Sequence, residues 1–423
     1  MTPSLLGETS LDPLERLLVG LCRRDSGAEI GAAELAQLAS KSFRSRLSML
    51  ASRHRVAGLV LVALQSHPSW SQMPPAVAQD LLCPEAAGEG ESAADRPQSF
   101  EWLLSRSRGK EQELERLLGL IRSEQLDALV LKGPALCRSV YRHPVERRYA
   151  DFDLLFPVEQ VDRAIEAVSA AGYTFPFSPE KRIGYRQLHF HLLLRRQGLF
   201  RTEVHWGLSK ANSPFQLDPE AFLRRAVTTC RAQQTTMRIP CPEHLLLHLA
   251  HENLRDSFSR FGRIVDLDRI LASAPGLDWD YTLAQARQGG LQSLLGLCLE
   301  LARGLLATAV PPDVLASLRP GVGTRIHLRL MRPAPSLMRR RLREAGAASS
   351  LQLWLAAGWR RRWPFLFRML SGRQSARDWI FREASSGPPT AREALVAGLK
   401  SGFRLASHHA TLYRNGLSER TDV

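Results

Sequence analysis

Two aspartates, Asp151 and Asp153, alternate with apolar residues in a segment that continues as Leu154-Leu155-Phe156. This pattern predicts a strand, and because side chains alternate along a strand, the two carboxylates share one face with Cα atoms roughly 6.5 to 7 Å apart. The apolar continuation predicts that the strand lies deep in a sheet, where like charges this close repel unless a cation lies between them. The segment therefore predicts a divalent metal site.

A third acid lies on a second segment with an alternating pattern, residues 200–206. Glu203 and His205 share one face of the strand that this segment predicts, and the residues between them face the other side. If this strand lies beside that of Asp151 and Asp153, three carboxylates converge. Such a group suits a pair of Mg²⁺ ions about 3.5 to 4 Å apart, which bridge a nucleotide's phosphates and activate an attacking hydroxyl. The residues therefore indicate phosphoryl or nucleotidyl transfer.

Two basic residues stand near these acids in the sequence. Lys132 ends a short buried strand that residues 127–132 predict, and Gly133 continues the chain into a turn. Arg148 ends a polar loop just before Asp151. Positive charge on Lys132 and Arg148 would neutralise the phosphates of a nucleotide. Each residue also has a structural interpretation, Lys132 as a solvated strand end and Arg148 as an ion-pair partner within the loop.

Hydrophobic periodicity divides the chain into four predicted regions. With 423 residues, 44% of them hydrophobic, the chain can bury two or three cores. Apolar residues at three and four spacing predict helices, and a run rich in Gly, Ala, Ser and acids predicts a linker. The predicted regions are an N-terminal helical region at 1–98 with the linker at 84–98, a helix-and-sheet core at 99–218, a helical domain without strands at 219–320, and a basic helical region at 321–423.

Most of the excess positive charge lies in the last hundred residues. The chain has a formal net charge of +15, and residues 321–423 contain 19 Lys and Arg against 6 Asp and Glu. Arginines mix with aromatic residues from Leu351 to Phe367, which is typical of an interfacial helix or of a surface that docks on anions. Three interpretations of this basic region stay open. It is a solvated helical face, or it docks on an anionic membrane or an acidic partner, or, least favoured, it binds a nucleic acid.

Neither a disulfide framework nor a membrane span is indicated. The six cysteines lie far apart without a C-x-x-C pair, which predicts reduced thiols rather than cross-links or a zinc site. Uninterrupted apolar runs fall far short of the roughly 20 residues that a spanning helix needs. The N-terminus also lacks the basic start of a secretory signal. The expected location is the cytoplasm, and the basic region adds the option of peripheral association with a membrane.

The chain carries a set of motifs in a defined order: Leu131-Lys132-Gly133, Tyr141, Arg148, Asp151-Phe152-Asp153-Leu154-Leu155, Glu203-Val204-His205-Trp206, the helix from Leu245 to His251, and Asp266. Their types and order resemble the uncharacterised nucleotidyltransferase family within the DNA polymerase β-like superfamily. The likeness extends over about 126–271, with weaker helical similarity on both sides.

The resemblance implies an α+β fold: a nucleotidyltransferase-like mixed β-sheet core with flanking helices, plus N-terminal and C-terminal helical regions. It implies that Asp151 and Asp153 bind Mg²⁺ (or Mn²⁺), and that Glu203 is the third acid, which ligates a metal or acts as a base. The Gly133 turn would lie against the triphosphate of an NTP. The expected reaction transfers a nucleoside monophosphate to a hydroxyl or similar group of an unidentified acceptor.

One residue departs from the superfamily pattern, because Pro134 follows Gly133 where most members have Ser. Proline lacks both a backbone N–H and the hydroxyl that would hold a phosphate oxygen. The sequence therefore leaves an alternative to the enzyme. In this alternative the protein is a non-catalytic adaptor with a degenerate core, which docks through residues 321–423 on an anionic membrane or an acidic partner.

Other polar residues have competing interpretations. Glu203 has an alternative role as the ion-pair partner of a nearby arginine, and His205 has one as a hydrogen-bonded structural histidine. His189 and His191 share one face of a predicted strand, but two histidines without a third ligand predict a structural role. We expect His251 and Asp266 to lie near the open side of the core.

Overall fold

A four-stranded mixed sheet with helices packed around it lies at the centre of the protein in the computed structural model. This α+β architecture is the fold class that the sequence predicts. The predicted linker at 84–98 and nearly all of the basic region at 321–423 lie outside the described residues. The structure describes residues 11–24, 30–82, 100–176, 186, 189–196, 201–210, 213–230, 236–255, 258, 260–321, 324–325 and 354–356.

The strands of this sheet are β1 (Leu129–Val130), β2 (Asp151–Leu155), β3 (His191–Arg195) and β4 (Arg201–His205). Their order across the sheet is β1-β2-β4-β3. β1 runs antiparallel to β2, β2 runs parallel to β4, and β3 runs antiparallel to β4. The direct pairing of β2 with β4 meets the condition under which the sequence predicts three converging acids.

Five helices lie between residues 11 and 82 in the described part of the chain: α1 (Pro13–Cys22), α2 (Ala32–Ala36), α3 (Lys41–Arg53), α4 (Ala57–Gln65) and α5 (Ala76–Leu82). Two short 3-10 turns, Gln37–Ala39 and Pro68–Gln72, lie between them. α1 begins at an acid-proline pair, Asp12-Pro13. The Asp12 side chain accepts a hydrogen bond from the backbone N–H of Glu15 at 2.9 Å, and Pro13 opens the first turn, where its missing N–H is not needed.

Three helices flank the sheet: α6 (Phe100–Ser123), α7 (Lys132–Ser139) and α8 (Val161–Ala170), the last of which follows a 3-10 turn at Val158–Gln160. α7 begins at Lys132, and Pro134 lies in its first turn, where no N–H is needed. α8 packs against β4, and α6 packs against α8. Phe152, Leu154 and Val204, which alternate with the acids along their strands, are completely buried.

The region after residue 219 contains a second, smaller sheet. β5 (Val227–Thr229) pairs antiparallel with β6 (Met237–Ile239), so the prediction that 219–320 lacks strands is wrong. Three residues per strand are too few to show an alternating pattern in the sequence. The helices that follow or precede this sheet are α9 (Pro219–Arg224), α10 (Pro242–Arg255), α11 (Gly262–Ser273), α12 (Trp279–Gly289), α13 (Gln292–Leu306) and α14 (Pro312–Ser317).

One continuous hydrophobic core joins these regions in the described part of the chain. Its buried apolar side chains extend from Leu14 in α1 to Ala356. Distant helices also meet through their backbones, since the N–H of Gly262 at the start of α11 donates to the carbonyl of His54 at 3.1 Å. The boundaries at residues 98, 218 and 320 stay predictions. None of the helices in the described residues is long and apolar enough to cross a membrane.

The close approach of α4 to the loop before β2 predicts that a side chain at Gly58 destabilises the fold. A Cβ added at Gly58 would lie 1.9 Å from the carbonyl oxygen of Val145, so Gly58→Ala should lower the free energy of unfolding by about 1 to 3 kcal/mol. Gly119→Ala in α6 is the matched control, because nothing lies within 4 Å of its added Cβ. It should raise the free energy of unfolding by about 0.5 to 1 kcal/mol. Urea denaturation measures both values, and a stabilised Gly58→Ala variant would contradict the contact.

Candidate active site

Three acids share one face of the central sheet. β2 and β4 pair in parallel, so that Asp153 lies opposite Glu203 and Asp151 lies opposite Arg201. Because alternate residues of a strand share a face, Asp151, Asp153 and Glu203 all lie on the same side. Asp153 is 1% exposed, and the Glu203 side chain is 17% exposed. The structure therefore brings the three predicted metal ligands together on a mostly buried surface.

The carboxylates of Asp153 and Glu203 converge on two basic side chains. His205 Nε2 lies 3.1 Å from Asp153 Oδ1 and 3.1 Å from Glu203 Oε2. Lys132 Nζ lies 2.5 Å from Asp153 Oδ1 and 3.8 Å from Glu203 Oε2. Two buried carboxylates that contact the same side chains repel each other unless positive charge lies between them. Lys132 and His205 supply this charge.

These contacts shift the pKa values of the groups that make them. Burial lowers the pKa of Lys132, but the charges of Asp153, Glu252 and Glu203 outweigh burial and raise the pKa above its usual value. Burial also lowers the pKa of His205, and its hydrogen bonds to Asp153 and Glu203 raise it above the usual value. Burial raises the pKa of Glu203, but the His205 hydrogen bond and the Lys132 charge hold it well below the usual range. Lys132, His205 and Glu203 are therefore all favoured in their charged forms.

The backbone at Lys132 is strained. Its φ of +51° lies in the left-handed region, which a residue with a side chain occupies at a cost of roughly 1 to 3 kcal/mol. The preceding residue is held in place, since the N–H of Leu131 donates to the carbonyl of Asp153 at 2.8 Å. Lys132 reaches the Asp153 carboxylate from this turn, so the strained backbone and the ion pair occur at the same point of the chain.

Asp151 differs from the other two acids. Within the described residues its carboxylate makes neither a hydrogen bond nor an ion pair. Burial raises the pKa of Asp151 above its usual value, and the charges of Asp153 and Glu203 raise it further, although Lys132 opposes the shift. An added cation would therefore stabilise the charged form of Asp151.

Gly133 is buried beneath Tyr149. A Cβ added at Gly133 would lie 2.4 Å from the Cβ of Tyr149, which gives a packing reason for glycine at this position. Pro134 follows it in the first turn of α7 and is buried as well. Contact between the Gly133 turn and a triphosphate stays a prediction.

Arg148 lies in a basic part of the site. With Arg106, Lys110 and Arg147 it lines a small cavity between α6 and the loop before β2. Burial and the charges of Arg148 and Arg106 lower the pKa of Lys110 to about 8, and the charge of Asp151 acts on Lys110 in the opposite direction. The cavity therefore lies within electrostatic range of Asp151 and concentrates positive charge, which suits an anion such as phosphate.

A buried ion pair that the sequence does not predict anchors this loop. Arg147 Nε donates to Asp266 Oδ1 at 2.8 Å, and the Tyr141 hydroxyl donates to the same oxygen at 2.7 Å. Asp266 is 0% exposed, so the prediction that it lies near the open side of the core is wrong. The carboxylate can be buried because Arg147 neutralises it and Tyr141 satisfies it. Tyr141 and Asp266 both stand among the sequence motifs, but nothing in the sequence indicates that they meet.

β3 adds His191 to the site. In the antiparallel pair of β3 and β4, His191 lies opposite His205, and its Nε2 lies 3.7 Å from Glu203 Oε2. One ligand atom from each of His191, Glu203 and His205 lies within 4.8 Å of the other two. His189 is not part of this group. Alternating patterns predict both strands, but only the pairing register shows which residues lie opposite one another.

The acids have the donor chemistry that a divalent cation requires. Mg²⁺ prefers carboxylate oxygens, and Mn²⁺ accepts them as well. Asp153 Oδ1 and Glu203 Oε2 converge, since both lie 3.1 Å from His205 Nε2. Asp151 offers a further carboxylate on the same face. The residues present therefore fit such a cation.

Comparison with known proteins identifies the family. The model of the uncharacterised nucleotidyltransferase family matches residues 43–307, which is more than half of the chain. The chain belongs to this family. The comparison with curated proteins found no match.

Membership in the nucleotidyltransferase family confirms the resemblance that the sequence motifs carry. The class of reaction that it indicates is transfer of a nucleotidyl group. The matched stretch is wider than the motifs alone, because it begins within α3 and includes all of α13. Helices on both sides of the central sheet are therefore part of what this chain shares with its family.

Removal of the Asp266 charge is expected to destabilise the fold. Asp266→Asn leaves the mostly buried Arg147 guanidinium without its carboxylate, so the free energy of unfolding should fall by about 3 to 5 kcal/mol. Asp280→Asn, at an exposed position in the first turn of α12, is the control and should change it by less than about 1 kcal/mol. Chemical denaturation followed by circular dichroism measures both. Equal losses in the two variants would show that the Asp266 ion pair does not stabilise the fold.

Proposed function

We propose that this protein is a metal-dependent nucleotidyltransferase that transfers a nucleoside monophosphate from an NTP to a hydroxyl or similar group of an acceptor. The observation that carries the proposal is the parallel register of β2 and β4, which sets Asp153 opposite Glu203 with Asp151 on the same face. Membership of the nucleotidyltransferase family supports the same class of reaction.

In this proposal Asp151, Asp153 and Glu203 hold the divalent cation, Mg²⁺ or Mn²⁺. When bound, the cation supplies positive charge to the phosphates and lowers the pKa of the attacking hydroxyl. Glu203 serves as a ligand in this proposal, because its carboxylate converges with that of Asp153 on His205 Nε2.

Lys132 and the basic cavity would bind the phosphates. Lys132 places an ammonium group 2.5 Å from Asp153, where it would also neutralise a phosphate oxygen that lies next to the acids. Arg106, Lys110 and Arg148 line the cavity that lies within electrostatic range of Asp151. A phosphate in this cavity would raise the pKa of Lys110 from about 8 toward its usual value, since a nearby negative charge favours the ammonium form.

Asp151→Asn and Asp153→Asn are expected to reduce nucleotidyl transfer at least about 100-fold, because each removes a carboxylate that the charged transition state requires. The measurement is label transfer from α-labelled NTPs, or pyrophosphate release, by the purified protein with Mg²⁺ or Mn²⁺. Asp162→Asn in α8 is the matched control, since its side chain is 74% exposed, and it should keep full activity.

Nucleotide binding gives a readout that needs no acceptor. Calorimetry with Mg²⁺ should show NTP binding to the unmodified protein and weaker binding to Asp153→Asn. If the unmodified protein bound no NTP, and the aspartate substitutions changed nothing, the enzyme proposal would fail.

A non-catalytic adaptor is the second candidate, and the covered Gly133 turn favours it. Tyr149 packs on Gly133, and Pro134 removes an N–H and a hydroxyl, so this turn offers few contacts to a phosphate. In this proposal the core binds no nucleotide, and the basic region at 321–423 docks on an anionic membrane or an acidic partner. A cytoplasmic protein held peripherally at a membrane belongs to the same proposal.

Liposome flotation tests the adaptor. The full chain should float with anionic vesicles and not with neutral ones, and binding should weaken as salt screens the charges. A chain that lacks residues 321–423 should lose the interaction, since those residues carry most of the excess positive charge. Unchanged partitioning of the shortened chain would remove the membrane from consideration.

A further inference from the structure

We propose that His191, Glu203 and His205 form a cation site of mixed nitrogen and oxygen donors, which takes a first-row transition-metal ion such as Zn²⁺ in preference to Mg²⁺. The group comprises one ligand atom from each side chain, and these atoms lie within 4.8 Å of one another. The inference does not rest on nucleotidyl transfer, because the ion would bind to the protein alone.

The register of β3 against β4 places the donors. His191 lies opposite His205 across the antiparallel pair, and Glu203 lies on the same face of β4 as His205. Hydrogen bonds of the sheet hold both strands, so the side chains meet without movement of a loop. Ligands on regular strands are held more precisely than ligands on loops, which favours a defined coordination geometry.

The distances suit a small tetrahedral ion. Glu203 Oε2 lies 3.1 Å from His205 Nε2 and 3.7 Å from His191 Nε2. Ligands placed at about 2.0 to 2.1 Å from Zn²⁺ in tetrahedral geometry are roughly 3.4 Å apart. This value lies between the two measured distances, so only small shifts of the side chains are needed.

The orientation of His205 supports the same geometry. Its Nδ1 lies 3.3 Å from the carbonyl oxygen of Gly207. A proton on Nδ1 donates to that carbonyl, which is how a second partner orients a metal-binding histidine. Nε2 faces Glu203, and binding of a metal ion there releases the proton that the charged imidazole holds on Nε2, since only the neutral ring is a ligand. The side chains of His191 and Glu203 are 13% and 17% exposed, so the group keeps a path for an ion and room for a further ligand.

The donor set decides the class of metal. Imidazole nitrogens suit zinc, iron, nickel and copper, whereas Mg²⁺ takes oxygen ligands and keeps several waters. Two histidines and one glutamate with an open position form a ligand set that Zn²⁺ occupies in catalytic sites. The group shares Glu203 with the three acids but does not include Asp151. Binding of a transition metal here therefore depends on His191, whereas binding of Mg²⁺ with NTP depends on Asp151.

The test uses the full chain, stripped of metal with a chelator and titrated calorimetrically with Zn²⁺ in the absence of nucleotide. We expect His191→Gln and His205→Gln to weaken Zn²⁺ binding by at least about 100-fold, more than the 10-fold to 100-fold loss typical of residues that only orient ligands. His189→Gln is the matched control, because His189 precedes the same strand but lies outside the group. It should bind Zn²⁺ as the unmodified protein does.

Two results would overturn the proposal: no Zn²⁺ binding by the unmodified protein, or equal binding by both histidine variants, as thiol ligation would give. Asp151→Asn should keep Zn²⁺ binding but weaken Mg²⁺-dependent NTP binding. This variant therefore distinguishes failure of the Zn²⁺ site from failure of the nucleotidyltransferase proposal. If circular dichroism shows that a histidine variant does not fold, X-ray absorption of the zinc-loaded unmodified protein decides. Scattering from two imidazoles supports the site, and a shell of sulfur alone refutes it.

Discussion

Two carboxylates that lie side by side on neighbouring strands must be neutralised, and the arrangement of the site depends on how this is done. Asp153 and Glu203 share His205 at 3.1 Å each, and Lys132 completes the compensation. Loss of one partner from a buried pair typically costs about 3 to 5 kcal/mol, because the remaining charge stays desolvated. This energy is large enough to hold Lys132 in a left-handed backbone conformation. The same cluster of charge is what makes this face of the sheet able to bind a cation.

The helical region after the sheet determines where the basic side of the site lies. Asp266 in α11 binds Arg147 and Tyr141, and these two residues bracket the loop that leads to β2. α4, which precedes the sheet in the sequence, contacts the same loop, since Gly58 lies against the carbonyl of Val145. The loop is thus held between helices that lie far apart in sequence. Its position sets the cavity of arginines and lysine within electrostatic range of the acids, which links the packing of the whole chain to the chemistry of one face.

Glu203 is the point at which two kinds of metal chemistry meet. With Asp151 and Asp153 it offers oxygen donors, the set that suits Mg²⁺. With His191 and His205 it offers a mixed set that suits a transition metal. Both sets depend on the position of β4 between β2 and β3, because this strand order is what brings acids from one neighbour and a histidine from the other to the same carboxylate.

Residue types and their spacing determined the local part of this site. The alternation of Asp151 and Asp153 with apolar residues is enough to predict a buried strand with two acids on one face, since the period of a strand is a local property. The same reasoning places Glu203 on a second strand and Lys132 at a turn, and the α+β class follows from the mixture of periodicities. The family could also be predicted from the sequence, because the types and order of its motifs are properties of the sequence alone.

Only the tertiary structure decided which of these elements meet. The register of β3 against β4 sets His191 opposite His205, and a shift of one residue would turn His191 to the other face. The burial of Asp266 likewise depends on Arg147, more than a hundred positions away in the chain. Strands β5 and β6 are too short to leave a pattern and are stabilised by pairing with each other. Contacts of this kind depend on the packing of distant segments, which no local pattern of residues specifies.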